Sequence, residues 1–112
     1  MWHALPAQTV REVITAHCKQ FPPTQEQLKD LIKEYDYIIV DVPLRHMRTA
    51  RTDHLERLVY LPSPLLPEQM PMLLHETAEV LLRLPVAPEF HFVPSWRDEH
   101  HEVACLVERG LK

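Results

Sequence analysis

The segment His75-Glu76-Thr77-Ala78-Glu79 places one imidazole and two carboxylates within five residues, a combination that can hold a divalent cation and move a proton. On a helix, positions i and i+4 lie one turn apart on the same side, so His75 and Glu79 reach a common point, with Glu76 beside them. Imidazole and carboxylate are both zinc ligands, and a glutamate next to a bound ion can serve as a general base. The spacing is that of an HExxH zinc helix with Glu79 in place of the second histidine. The substitution has a chemical consequence. Two carboxylate ligands cancel the formal charge of a divalent ion, so the ion polarises its surroundings less strongly. A carboxylate-rich set also suits manganese better than an imidazole-rich one. Zinc is therefore the expected ion, with manganese the alternative. A plainer reading uses the same residues: Glu79 and Arg83 form an i,i+4 pair in the favourable order, which would make the seam a salt-bridged ridge with one surface histidine.

A zinc site needs a further protein ligand, and the last helical stretch offers Glu99, His100, His101 and Glu102. Taking Val103, Leu106 and Val107 as its apolar arc puts Glu102 on the border of that arc, His100 into it and His101 toward solvent. Glu102 is thus expected first as third ligand, then His100, then His101. Acidic residues favoured by the dipole at the start of a helix account for Asp98 and Glu99 without any ion. Cys105 falls on an unfavourable part of the same wheel, and no local signature supports a Cys-His nucleophilic pair.

The elements that must carry these groups can be read from periodicity. Val10, Val13, Ile14 and His17 predict a helix from Thr9 to about Gln20, ended by Phe21-Pro22-Pro23. Thr24 with Gln27 is a capping-box pattern that starts a second helix over Leu28, Leu31 and Ile32. Tyr35 to Val42 reads as a strand, stopped by Pro43. Leu44 to Glu56 is polar, either a loop or a ragged edge strand, and Arg57 to Leu61 is a second strand closed by Pro62. The histidine helix runs from about Pro67 to about Leu84, with Pro71 near its start. Its residues Met70, Leu73, Leu74, Ala78, Val80, Leu81, Leu82 and Leu84 cover well over half the circumference, so it must be largely buried. Pro85 to Pro94 reads as a linker with a short strand at Glu89 to Val93. Ser95 caps a last helix, Trp96 to Arg109, with Gly110 at its C-terminal cap. Helices, strands, then helices make the class α+β.

The chain has 112 residues, fitting one domain over 1–112, with 46% hydrophobic and 25% charged residues and a net charge of −4. That balance argues against direct nucleic-acid binding through bulk electrostatics. The basic cluster Arg45, His46, Arg48 and Arg51 is interrupted by Asp53 and Glu56 and reads as a solvated loop. Gly110 is the only glycine, which excludes phosphate-cradling glycine loops. Cys18 and Cys105 lie far apart without a CxxC partner, as expected of free thiols in a reducing cytoplasm. No apolar run approaches membrane-spanning length.

The chain resembles the ImmA/IrrE family of metallopeptidases. The resemblance spans about residues 24–109 in order and spacing: Gln25 to Tyr35 for the early helix, Ile38 to Pro43 for the strand ending in proline, and Arg57 to Leu61 for the strand before the turn. Leu65-Leu66-Pro67-Glu68-Gln69 leads into Leu73-Leu74-His75-Glu76, and Glu102-Val103-Ala104-Cys105-Leu106-Val107 stands where the family has its later ligand helix. The departures are Glu79 for the second histidine, a hairpin reduced to Met47–His54, and Ala104 for the usual asparagine. The resemblance implies a minimal zincin-like domain with His75, Glu79 and Glu102 as metal ligands and Glu76 as catalytic base. It also implies hydrolysis of peptide bonds in a helix-turn-helix transcriptional repressor, in the regulatory circuits of phage or mobile elements. A catalytically inactive zincin-fold module that regulates a partner protein without cutting it is the alternative. In either case an imidazole and carboxylates from separate helices must converge on one point.

Overall fold

Thr24 starts the second helix as its side chain predicts. Its Oγ1 accepts from Gln27 N–H at 3.2 Å while Gln27 Oε1 accepts from Thr24 N–H at 2.9 Å, the reciprocal pair of a capping box. The computed structural model describes residues 6–47, 49–83 and 99–109. Within them the elements are α1 (Ala7–Cys18), α2 (Gln25–Glu34), β1 (Ile38–Pro43), β2 (Arg51–Asp53), β3 (Leu58–Ser63), a short 3-10 turn (Pro67–Gln69), α3 (Met70–Arg83) and α4 (Glu99–Arg109). The fold is α+β. The expected linker Pro85–Pro94 with its strand Glu89–Val93, the cap Ser95, the first turn from Trp96, and Gly110 lie outside the described residues.

The three strands form a mixed sheet in the order β1-β3-β2. β1 runs parallel to β3, pairing Ile38 with Leu58 through Pro43 with Ser63. β2 runs antiparallel to β3, pairing Arg51 with Tyr60 and Asp53 with Leu58. The polar stretch before the second strand therefore does contain a ragged edge strand, three residues long. β3 departs from expectation by continuing through Pro62 instead of stopping there. Its pairing with β2 ends at Tyr60, so at Pro62 the strand is already open on one side, where a residue without an N–H is tolerated.

One core joins all the helices to the sheet. Val10 and Ile14 of α1, Leu28, Leu31 and Ile32 of α2, Val59 and Leu61 of β3, Leu73, Leu74 and Leu82 of α3, and Ala104 and Val107 of α4 are buried together. α1 ends at Cys18, not Gln20, where Lys19 turns left-handed at φ 61°. His17 lies exposed and pairs with Glu34 at 3.3 Å. A guanidinium N–H of Arg11 donates to the backbone carbonyl of Leu106 at 2.7 Å, tying α1 directly to α4. Of the basic cluster, Arg45 and His46 are exposed, while Arg51 lies over the ring of Tyr60 at 5.4 Å. No helix among the described residues is long and apolar enough to cross a membrane.

Candidate metal centre

α3 begins where Pro67 and Gln69 make a single 3-10 turn, closed by Gln69 Oε1 accepting from the Leu66 N–H at 2.8 Å. From Leu73 to Leu82 every residue of the helix is buried. The polar seam is no exception: His75, Glu76 and Glu79 are 9%, 5% and 6% exposed. A surface ridge with one solvated histidine is therefore not what the helix presents. The Arg83 side chain lies outside the described residues. Burying two carboxylates and an imidazole together is costly unless they are paired or hold an ion.

The pairing is partial. His75 Nε2 lies 3.5 Å from Glu79 Oε2, and its Nδ1 lies 2.9 Å from Glu108 Oε1 on α4. Both ring nitrogens face carboxylates, which favours the imidazolium in the metal-free chain; loss of the Nε2 proton would leave Nδ1–H directed at Glu108 and the Nε2 lone pair toward Glu79, the tautomer of a metal-ligating histidine. Glu76 Oε2 accepts from the hydroxyl of Thr52, on the edge strand β2, at 2.8 Å. The second oxygen of Glu79, Oε1, is buried with no hydrogen-bond partner. The ligand atoms of His75, Glu76 and Glu79 lie within 4.8 Å of one another, and so do those of His75, His101 and Cys105.

The fields in the seam follow from this geometry. Burial pushes the Glu76 carboxyl up to about 7, helped by the nearby charge of Glu79 and opposed by the Thr52 hydrogen bond. Burial also works against the charged form of Glu79, but the hydrogen bond and charge of His75, with His54 and His101 beyond, hold its pKa below the ordinary value. For His75, burial favours the neutral ring, and the hydrogen bond to Glu79 with the charges of Glu79, Glu76 and Glu108 outweighs it, raising its pKa. Two carboxylates a few ångströms apart with one imidazole are an incompletely neutralised set. It is a group that could hold a metal ion.

Among the sequence-predicted residues, the fold brings His75, Glu76 and Glu79 together and leaves Glu102 exposed and outside both groups. The side chain of His100 lies outside the described residues. His101, expected toward solvent, instead packs its ring edge-to-face on His75, with centroids 4.8 Å apart. The reason is a rotation of α4 by about one residue. Its buried line runs through Ala104 and Val107 while Leu106 is exposed. At about 100° per residue Glu102 lies nearly opposite that line, whereas Glu108 and His101 flank it and Cys105 lies farther round on the side of His101.

No family model, curated protein or solved structure matches the chain. The site rests on its own geometry.

Sequence reasoning set Cys105 aside on its wheel position and missed Glu108, Thr52 and His54. Cys105 and Glu108 share a face with His101 at i+4 and i+7, a pattern visible once Ala104 is taken as a close-packing position. Thr52 and His54 come from the stretch without periodicity. His54 is buried, its Nδ1 lies 3.0 Å from the Tyr37 hydroxyl, and its charge reaches Glu79.

Proposed function

We propose that this chain is a metal-dependent peptidase-like regulatory protein, a divergent relative of the ImmA/IrrE metallopeptidases. In this reading His75, Glu79 and His101 hold one divalent ion, zinc in preference to manganese, and Glu76 is the base. The observation that carries the reading is the unpartnered, buried Oε1 of Glu79 on the carboxylate that faces the Nε2 of His75. An orphaned carboxylate oxygen in a buried seam calls for a cation. When bound, the ion would act as a Lewis acid on a carbonyl and lower the pKa of water.

The chain's own residues divide the remaining work. Glu108 holds His75 by Nδ1, which keeps Nε2 turned to the ion site. Glu76, raised to about 7, is matched to taking a proton from an attacking water at its Oε and returning it to a leaving amine near neutral pH. The Thr52 hydroxyl fixes which way that carboxylate faces. The substrate class that the resemblance names is a helix-turn-helix repressor, and two unpaired thiols fit a reducing, cytoplasmic setting.

A second reading has an observation of its own. All three seam residues are less than a tenth exposed, which suits a binding module that engages a partner without cutting it. One set of measurements separates the two. Purified protein is expected to hold close to one zinc per chain and to cleave a co-encoded helix-turn-helix repressor, with Glu76→Gln keeping the zinc and losing the cleavage. Zinc bound without cleavage by either protein would favour the binding module. A protein with no affinity for divalent metal ions would overturn the metal-centre reading altogether.

A further inference from the structure

The proposed hydrolytic site makes no use of Cys105, although its sulfur stands in the same seam. Cys105 Sγ lies 3.6 Å from His101 Nε2, and the ligand atoms of Cys105, His101 and His75 lie within 4.8 Å of one another. The thiol forms no disulfide. The other ring nitrogen of His101, Nδ1, is buried without a partner. Independently, Glu79 is 6% exposed and keeps Oε1 unpartnered, on the carboxylate that faces His75 Nε2. The sulfur, one nitrogen of each neutral imidazole and the unpartnered oxygen of Glu79 can each offer a lone pair to an ion, and they come from two helices packed against each other.

We propose that Cys105 is itself a metal ligand, so that the centre closes around its ion through His75, Glu79, His101 and Cys105. This rests on the metal-centre reading and on no assumption about hydrolysis. Binding breaks the Sγ–H bond, sends the proton to solvent, and forms a sulfur–metal bond with both electrons from sulfur; nothing is oxidised. A thiolate makes the donor set softer, which selects zinc or cobalt over manganese. Four protein ligands leave no open position, as in structural zinc sites. Water can then enter beside Glu76 only when the sulfur leaves the ion, so the cleavage expected of the purified protein requires that step. Cys105 thus acts as a stopper on the site.

Cobalt(II) titration of the reduced full chain reads this directly. Wild type is expected to bind one equivalent, with visible d–d bands and a thiolate-to-cobalt charge-transfer band in the near ultraviolet. Cys105→Ser should keep the d–d bands and lose the charge-transfer band, and Cys105→Ala should do the same. Cys18→Ser, altered at a buried position on α1, should keep both. Far-ultraviolet circular dichroism establishes that each variant is folded. Cobalt bound by wild type with no charge-transfer band, or with a band that survives in both Cys105 variants, overturns the sulfur ligand and leaves the metal centre standing. Failure of wild type to bind cobalt overturns the metal centre itself, and with it this inference.

Discussion

Replacing Glu76 by glutamine in the metal-free protein should change how stability depends on pH. Glu76 is 5% exposed, and its carboxyl is raised from 4.5 to about 7 by burial and by the charge of Glu79. A raised carboxyl binds its proton more tightly in the folded chain than in the unfolded one. Its stabilisation is fully present below 4.5 and is lost as pH rises through about 7. At about 1.4 kcal/mol per pH unit, the loss across that window is about 3 kcal/mol, a large part of a typical total of about 5–15 kcal/mol. Glutamine matches the shape and can still accept from Thr52, but cannot ionise. Urea unfolding in the presence of a chelator, at a series of pH values across the window, gives the two curves. Wild type should fall by about 3 kcal/mol more than Glu76→Gln between the two ends of the window. The titration of His75 is shared by both proteins to first order, and Glu79, held low, contributes below 4.5. Parallel curves would refute the assignment of Glu76 as a buried carboxyl that stays protonated toward neutrality.

Thr52→Val removes the hydroxyl that donates to Glu76 Oε2, so the pH at which wild-type stability is lost should move upward; an unchanged midpoint would mean that the hydroxyl does not hold the carboxylate. Zinc at about a hundred times its Kd should raise the unfolding free energy by about 2.7 kcal/mol, with no such gain in His75→Ala, as measured by denaturation with and without the ion. Lys19→Gly should stabilise the chain by about 1 kcal/mol in thermal or urea unfolding, because Lys19 is exposed and caps α1 at φ 61°, a conformation that a Cβ disfavours. A destabilised Lys19→Gly would show that the lysine side chain contributes more than its backbone conformation costs.

The parts of the fold legible in the sequence are those decided locally. Thr24 and Gln27 specify their capping box within four residues, and the leucine pattern of α3 requires a buried helix whatever surrounds it. β2 could not be fixed the same way, since Arg51–Asp53 has no alternation of its own and exists because β3 offers an edge. The extension of β3 through Pro62 depends on where β2 stops, which is a tertiary fact. The candidate site divides along the same line. His75, Glu76 and Glu79 share one helix, so their convergence follows from helical geometry alone. The contribution of α4 depends on how that helix is rotated against α3. Taking the largest apolar side chains as the buried face selects Val103, Leu106 and Val107 and points to Glu102. The packing is set instead by Ala104 and Val107, both fully buried, because a small residue lets two helices approach closely. Rotation by one residue exchanges Glu102 for His101 and carries Glu108 in with it, with Cys105 one turn from His101 on the same side.

The link from Arg11 to the Leu106 carbonyl gives the first helix a stake in events at the seam. α4 is gripped from two sides, by α3 through His75 and Glu108 and by α1 through apolar packing and that guanidinium. Whatever draws α4 closer to α3 draws α1 along, so the amide protons of Val10 to Ile14 should exchange more slowly when an ion is added, although none of those residues comes near it. Cutting the link with Arg11→Met should leave the slowing on α3 and α4 and weaken it on α1.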